Sequence, residues 1–311
     1  NDSNFLVAGP WAHGQNWASG DRLGSMAWNE DTALRWRQDM LAPFLAHYLK
    51  DAPAHRLAPV TVFNTGSRRW ERLEHWPRAE DTRPRALFLQ PDLATGWTAP
   101  VAADGSTQDF VSDPAKPVPY QPRPIRRIYD DDLGYAAWRS WVDADQRFVD
   151  GRPDVLTFVG EPLTDAVTVR GTVTATLFAE TDGSDADWVV KLIDVFPDQD
   201  PQEPTMSGYQ LMISGDILRG RYREGFEQAR PVAAGQALEY AFRLPQVNHT
   251  FRPGHRIMVQ VQSSWFPLYD RNPQAFIPSI MDVEPGQYRK ATHRIHTSRT
   301  HPSRIELQVA H

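Results

Sequence analysis

A mostly β protein, a jelly-roll β-sandwich preceded by one strand, loop and helix, is predicted by three observations. After Pro53 the chain is a succession of short β-rich runs separated by turn residues. Helical periodicity is confined to about residues 31–50. The chain of 311 residues also carries 26 Pro and 11 Trp, which suits strands joined by stiff loops.

The elements follow in chain order. Phe5 to Ala8 is an apolar run closed by Gly9-Pro10, the pattern of a buried strand that ends abruptly in a loop. That loop, rich in Gly and Trp, runs to about Asn29. With Asp31 or Thr32 as N-cap, Leu34, Leu41, Leu45, Tyr48 and Leu49 recur near helical spacing through Lys50. Pro43 lacks a backbone donor and crowds the preceding turn, so the helix is expected to kink or break there. Strands are then expected at Val60 to Phe63, Ala86 to Leu89, Val167 to Phe178 and Trp188 to Val195, with others at Tyr209 to Ile213, Ala237 to Leu244, Arg256 to Gln262 and Ile305 to Val309. Thr168 to Val173 alternates polar and apolar positions, the pattern of a strand with one face in a core. Between Val111 and Asp154 lies a Pro-, Arg- and Asp-rich stretch including Asp130-Asp131-Asp132, expected to be functional or to wrap a neighbouring surface, with a short helix at Trp138 to Trp141. At roughly 150 residues per domain the length suits two units; the boundary is placed at 1–55 and 56–311.

Composition narrows the function. A net charge of −6 offers no footprint for phosphate backbones, so nucleic acid is not an expected partner. No apolar stretch approaches the roughly 18–20 residues that cross a bilayer, and no membrane association is expected. The absence of cysteine excludes disulfides, thiolate metal sites and a cysteine nucleophile. No cofactor or metal is called for.

The most informative local feature is Gly9-Pro10-Trp11-Ala12-His13-Gly14, a histidine just past a strand. An imidazole can take a serine's proton and return it to the leaving group, because its ordinary pKa lies near neutrality. In α/β-hydrolases the order is nucleophile, acid, then histidine on a loop after a late strand, and His13 fits that last place. Trp11, Trp17 and Trp28 flank it, either lining an acyl pocket or packing in a core. Other groupings read as structural. Ser263-Ser264 near His255 is not taken as a catalytic pair, Asp270-Arg271-Asn272 is read as a loop clamp, and Asp182, Asp185 and Asp187 as turn formers without a calcium loop's full pattern. His293, His296 and His301 are placed on a surface strand and loop.

The motif Gly-Pro-Trp-x-His-Gly at 9–14, the helix from Asp31 to Lys50, Val62 to Gly66, Val111 to Pro119, Ser184 to Val195, Leu218 to Arg223, Gly254 to Gln260 and Ser263 to Pro273 together resemble the C-terminal portion of the α-amino acid ester hydrolase and glutaryl-cephalosporin acylase branch of the cocaine esterase and X-prolyl dipeptidyl peptidase superfamily. The resemblance covers nearly the whole chain. It implies a serine hydrolase of α-amino acid esters that transfers acyl groups to or from β-lactam nuclei, with His13 as the triad base and acid and residues 1–55 as the end of an α/β-hydrolase domain. No Gly-x-Ser-x-Gly occurs in these residues. The nucleophile and triad acid are therefore expected in a hydrolase segment before Asn1, a partner alongside a small-molecule ester or amide. The resemblance favours a periplasmic or secreted location and leaves a homo-oligomer open. The competing reading is a carbohydrate-binding or purely structural sandwich with no catalysis of its own.

Overall fold

The computed structural model describes residues 4–54, 56–77, 79–125 and 141–311. Its strands are β1 (Leu6–Ala8), β2 (Arg22–Leu23), β3 (Met26–Ala27), β4 (Val60–Asn64), β5 (Arg69–Leu73), β6 (Thr82–Leu89), β7 (Thr95–Gly96) and β8 (Thr107–Ser112), followed by β9 (Val155–Val159), β10 (Val167–Thr181), β11 (Asp187–Val195), β12 (Gln210–Arg219), β13 (Leu238–Phe251), β14 (Arg256–Gln262), β15 (Ala291–His296) and β16 (Arg304–Ala310). Helices α1 (Thr32–Arg35) and α2 (Ala42–Lys50) follow β3.

Two antiparallel sheets form the sandwich. One runs β7-β6-β16-β10-β15-β8, with β13 also paired to β10, and the other runs β12-β11-β14-β9. The period-2 pattern of β10 sends alternate side chains inward, and Val169, Val173, Ala175 and Leu177 are fully buried. They meet Trp188, Val190, Leu192, Val259, Tyr240 and Leu307 in one apolar core between the sheets. Strand β11 is buried along its whole length, because its outer face is covered as well. There Ile193 packs with Met258 and partly buried Met212, and Lys191 donates to Gln146 Oε1 at 2.9 Å.

A third sheet joins β1 to the hairpin β4–β5. Strand β1 pairs in parallel with β4, Leu6 opposite Val60, and β4 forms a hairpin with β5. The sheet therefore draws strands from both sides of residue 55. Its turn is sewn to the sandwich: Thr65 N donates to the Asn248 carbonyl at 3.1 Å, and Asn64 Nδ2 to Thr250 Oγ1 at 2.9 Å. A side chain at Gly66 would meet the Thr250 carbonyl oxygen at 1.9 Å, so only glycine permits this approach.

Several expectations are corrected. Strand β1 exists but is not buried: Leu6 is 41% exposed, since it lies at a sheet edge. The helix begins as expected, with Asp31 Oδ1 accepting from Leu34 N at 2.9 Å. Pro43 acts by widening the turn before it. Residues Trp36–Leu41 form a π-helix in which Ala42 N–H reaches back five residues to the Arg37 carbonyl, which relieves the crowding a proline ring causes in a regular α-turn. The apolar stripe of this helix is open to solvent, with Leu34, Leu45 and Leu49 at 41%, 41% and 74% exposure.

Asp185 and Asp187 are buried ion-pair partners rather than turn formers. Asp185 accepts from Arg221 Nε at 2.8 Å and Asp187 from Arg219 Nη1 at 2.8 Å. His293 and His296 are buried in the sandwich, not surface residues, because β15 lies between β10 and β8. Strands β5, β8, β9 and β15 were not expected. Asp130-Asp131-Asp132 and residues 138–140 of the expected short helix lie outside the described residues; 141–143 are helical.

Candidate functional site

The histidine loop leaves β1 at Gly9, where a side chain would collide with the Trp11 ring at 2.5 Å. His13 is exposed on this loop. The turn that carries it is firmly built. Gly14 takes a left-handed φ of 75° and opens a 3₁₀ turn over Gln15–Trp17. Gln15 Oε1 accepts from Ala12 N at 3.1 Å, while its Nε2 donates to the Arg22 carbonyl at 2.6 Å. Arg37 donates to the carbonyls of Asn16 and Ala18 at 2.6 and 2.9 Å. Asp31 joins loop to helix, taking Gly20 N at 2.8 Å besides its capping bond. Slight burial raises the Asp31 carboxyl, but the bonds from Leu34 N and Gly20 N prevail and hold it below its ordinary range.

The flanking tryptophans divide. Trp11 donates to Thr32 Oγ1 at 2.9 Å and packs its ring against Trp36 and Trp70 at 5.5 and 5.9 Å. Trp28 is buried against Phe63 at 5.3 Å, in a cluster with Phe196, Met206, Tyr209 and Leu211. Trp17 is 66% exposed and makes an edge contact to Trp36 at 5.3 Å. Sequence reasoning missed two concavities beside the loop. A cleft of about 470 Å³ opens between Gly9, Pro10, Phe63, Thr65, Trp76 and Val247. A second, of about 300 Å³, runs between β1 and the helices, lined by Phe5, Val7, Trp36, Met40 and Phe44. Neither could be read from a single motif, because each gathers residues far apart in the chain.

The remaining groupings hold structure. Ser264 Oγ accepts from Val118 N at 2.9 Å, and His255 Nδ1 is engaged with Asp194 at 2.8 Å, so no Ser–His pair forms there. His249 Nε2 meets the other Asp194 oxygen at 3.0 Å. Burial would raise the Asp194 carboxyl, yet the two imidazoles hold it below its ordinary range. Asp270-Arg271-Asn272 clamps its loop as read from the sequence: Asn272 Nδ2 donates to Asp187 at 2.8 Å and Arg271 to the Pro114 carbonyl at 2.8 Å. Among the described residues no three His, Asp or Glu side chains gather as metal ligands. No described helix is long and apolar enough to cross a membrane.

Comparison with known proteins places these features in a larger frame. A family model described as the X-Pro dipeptidyl-peptidase C-terminal non-catalytic domain matches residues 53–306. Cocaine esterase from Rhodococcus sp. (strain MB1 Bresler) is 33% identical over 315 residues, covering 98% of this chain and 51% of that protein. Among solved structures, an aminopeptidase from the marine sediment archaeon Thaumarchaeota archaeon superposes with a TM-score of 0.94 at 47% identity, over 99% of this chain and 49% of that one. An α-amino acid ester hydrolase gives 0.93 at 48% identity, over 98% and 50%. The chain thus spans about half the length of the relatives it matches.

Proposed function

This chain belongs to the family of the X-Pro dipeptidyl-peptidase C-terminal non-catalytic domain, and from that premise we propose that it is the C-terminal part of a serine hydrolase acting on α-amino acid esters. His13 is its general base and acid. The observation that carries this reading is the placement of His13: an exposed imidazole on a rigid turn at the end of a parallel strand, beside apolar surface that nothing in the described chain covers. A proton shuttle needs that combination of access and fixed geometry.

In the proposed reaction a serine of the hydrolase segment attacks the ester carbonyl while neutral His13 takes its proton. The protonated imidazole then gives that proton to the departing alcohol, leaving an acyl-enzyme. Water, or the amine of a β-lactam nucleus, resolves the acyl-enzyme by the same route. Trp17, with its open indole, and Trp11 beside it are the proposed acyl-side surface. Residues 1–55 are the proposed end of the hydrolase domain and 56–311 the sandwich, which walls the site. The exposed stripe Leu34, Leu45 and Leu49 and the groove beside Phe5 and Phe44 are the proposed seat of that domain's remainder.

The test is kinetic. In the full-length protein, His13→Ala is expected to lower kcat/KM for a chromogenic amino acid ester by about 10³-fold or more, the scale of losing a triad member. Near-normal turnover would remove His13 from the mechanism. The isolated chain is expected to release no chromophore, and His13-dependent release would place the serine within these 311 residues. The exposed Trp17 indole favours one other reading, a saccharide-stacking module. Tight binding from an oligosaccharide panel, lost in Trp17→Ala, would support it instead.

A further inference from the structure

We propose that Gln15 and Asp143 are positioning residues for His13, the two ends of a hydrogen-bonded strut that runs from the sandwich to the histidine turn; this rests on the reading of His13 as the proton shuttle. At the sandwich end, Tyr209 OH donates to the Asp143 carbonyl at 2.5 Å, and Tyr209 is itself buried beside Phe196. The Asp143 carboxylate Oδ2 then accepts from Ser25 N at 2.8 Å, across 118 positions of sequence. Ser25 sits in the turn of the β2–β3 hairpin, whose Arg22 carbonyl accepts from Gln15 Nε2 at 2.6 Å. Gln15 Oε1 completes the path at Ala12 N, the residue before His13.

Two observations show that the contact at Asp143 is built for this turn. Gly24 adopts φ 53°, and any side chain there would drive into Asp143 Oδ2 at 1.7 Å, so the backbone can approach the carboxylate only as glycine. Asp143 is 5% exposed, and its carboxylate is engaged by Ser25 N–H. Burial raises its carboxyl while the bond from Ser25 N pulls it back. A carboxylate buried this deeply is a costly way to fill space unless it is hydrogen-bonded. What the carboxylate does there is hold the Gly24–Ser25 turn. The histidine turn has its own internal bonds through Arg37 and Asp31, so cutting the strut changes where the turn points without unfolding it.

The experiment is a double-mutant cycle in the full-length protein with a chromogenic amino acid ester, reading kcat per titrated active site, KM and the thermal midpoint. Asp143→Ala and Gln15→Ala are each expected to lower kcat about 10-fold with KM within about two-fold, as a misaimed base does. The double variant should also lose about 10-fold rather than 100-fold, because both substitutions break one path. Asp143→Asn keeps an oxygen for Ser25 N–H and should recover most of the rate. A merely architectural Asp143 would lower the midpoint and the number of titratable sites while kcat per site stayed unchanged, which overturns the strut. So would a fully additive loss. If Asp143→Ala is silent while His13→Ala abolishes turnover, the strut fails and the base assignment stands; if His13→Ala is itself silent, both fall.

Discussion

His293 shows how one side chain's surroundings set a property of the folded state. Its ring is fully buried against Phe110 and Trp188, at 5.2 and 5.1 Å, and among the described residues neither ring nitrogen has a hydrogen-bond partner. Burial drives its pKa from 6.5 down to about 3. Between those values the unfolded chain binds a proton that the folded chain refuses. This ring therefore removes stability as pH falls from 6.5 toward 3. His293→Phe, a similar shape without a titrating group, is expected to flatten that part of the profile, read as the urea midpoint at about pH 4 against about pH 7. An unchanged difference between the two midpoints would mean that other groups carry the acid sensitivity.

At the scale of elements, β11 carries the most consequence because both its faces are covered. Trp188 fills the inner face with no exposure, so Trp188→Ala should cost about 3–5 kcal/mol, measured by chemical denaturation. Lys191 on the outer face is lowered from 10.5 to about 7, desolvation being the cause. From pH 7 to 10.5 the unfolded lysine holds a proton that the folded one has released, so stability rises with pH across that window. Lys191→Met is expected to abolish that rise; a slope as steep as the parent's would place the titration elsewhere. Helix α2 gives the contrasting case. Its spacing showed where a helix lies, but Pro43 acts through the shape of the preceding turn, and helical periodicity carries no mark of a π-turn.

At the scale of the whole molecule, the uncovered apolar surface on α1, α2 and β1 is the main fact. An exposed stripe of this kind drives association in a chain standing alone. The isolated chain is expected to self-associate in sedimentation velocity, and Leu45→Lys with Leu49→Glu to restore a monomer. Because both side chains are exposed, the pair should shift stability by no more than about 0.5 kcal/mol each. A parent chain that sediments as a monomer at high concentration would remove the argument that this face seats another segment.

The sandwich strands were legible because a sheet with one face in a core imposes period 2, and β10 shows it over 15 residues. Of the proposed site, only the motif where Gly9-Pro10 ends a strand and His13 follows was legible. Strand β5, Arg69-Trp70-Glu71-Arg72-Leu73, hid because it is rich in charge, and the partner that settles Glu71 in the sheet, Arg170 at 2.7 Å, lies 99 positions away. Asp185 and Asp187 were misplaced because their partners Arg221 and Arg219 lie 36 and 32 positions on, and His293 because the rings that bury it, Phe110 and Trp188, lie on other strands. Sequence alone determined the β class and a helix start at Asp31 or Thr32, since those depend on local spacing and side-chain chemistry. Only the tertiary structure decided that β1 lies open at an edge, that the helix stripe is uncovered and that Asp143 reaches the turn at Ser25. Those contacts join residues tens to more than a hundred positions apart, and nothing local in the chain encodes which of them meet.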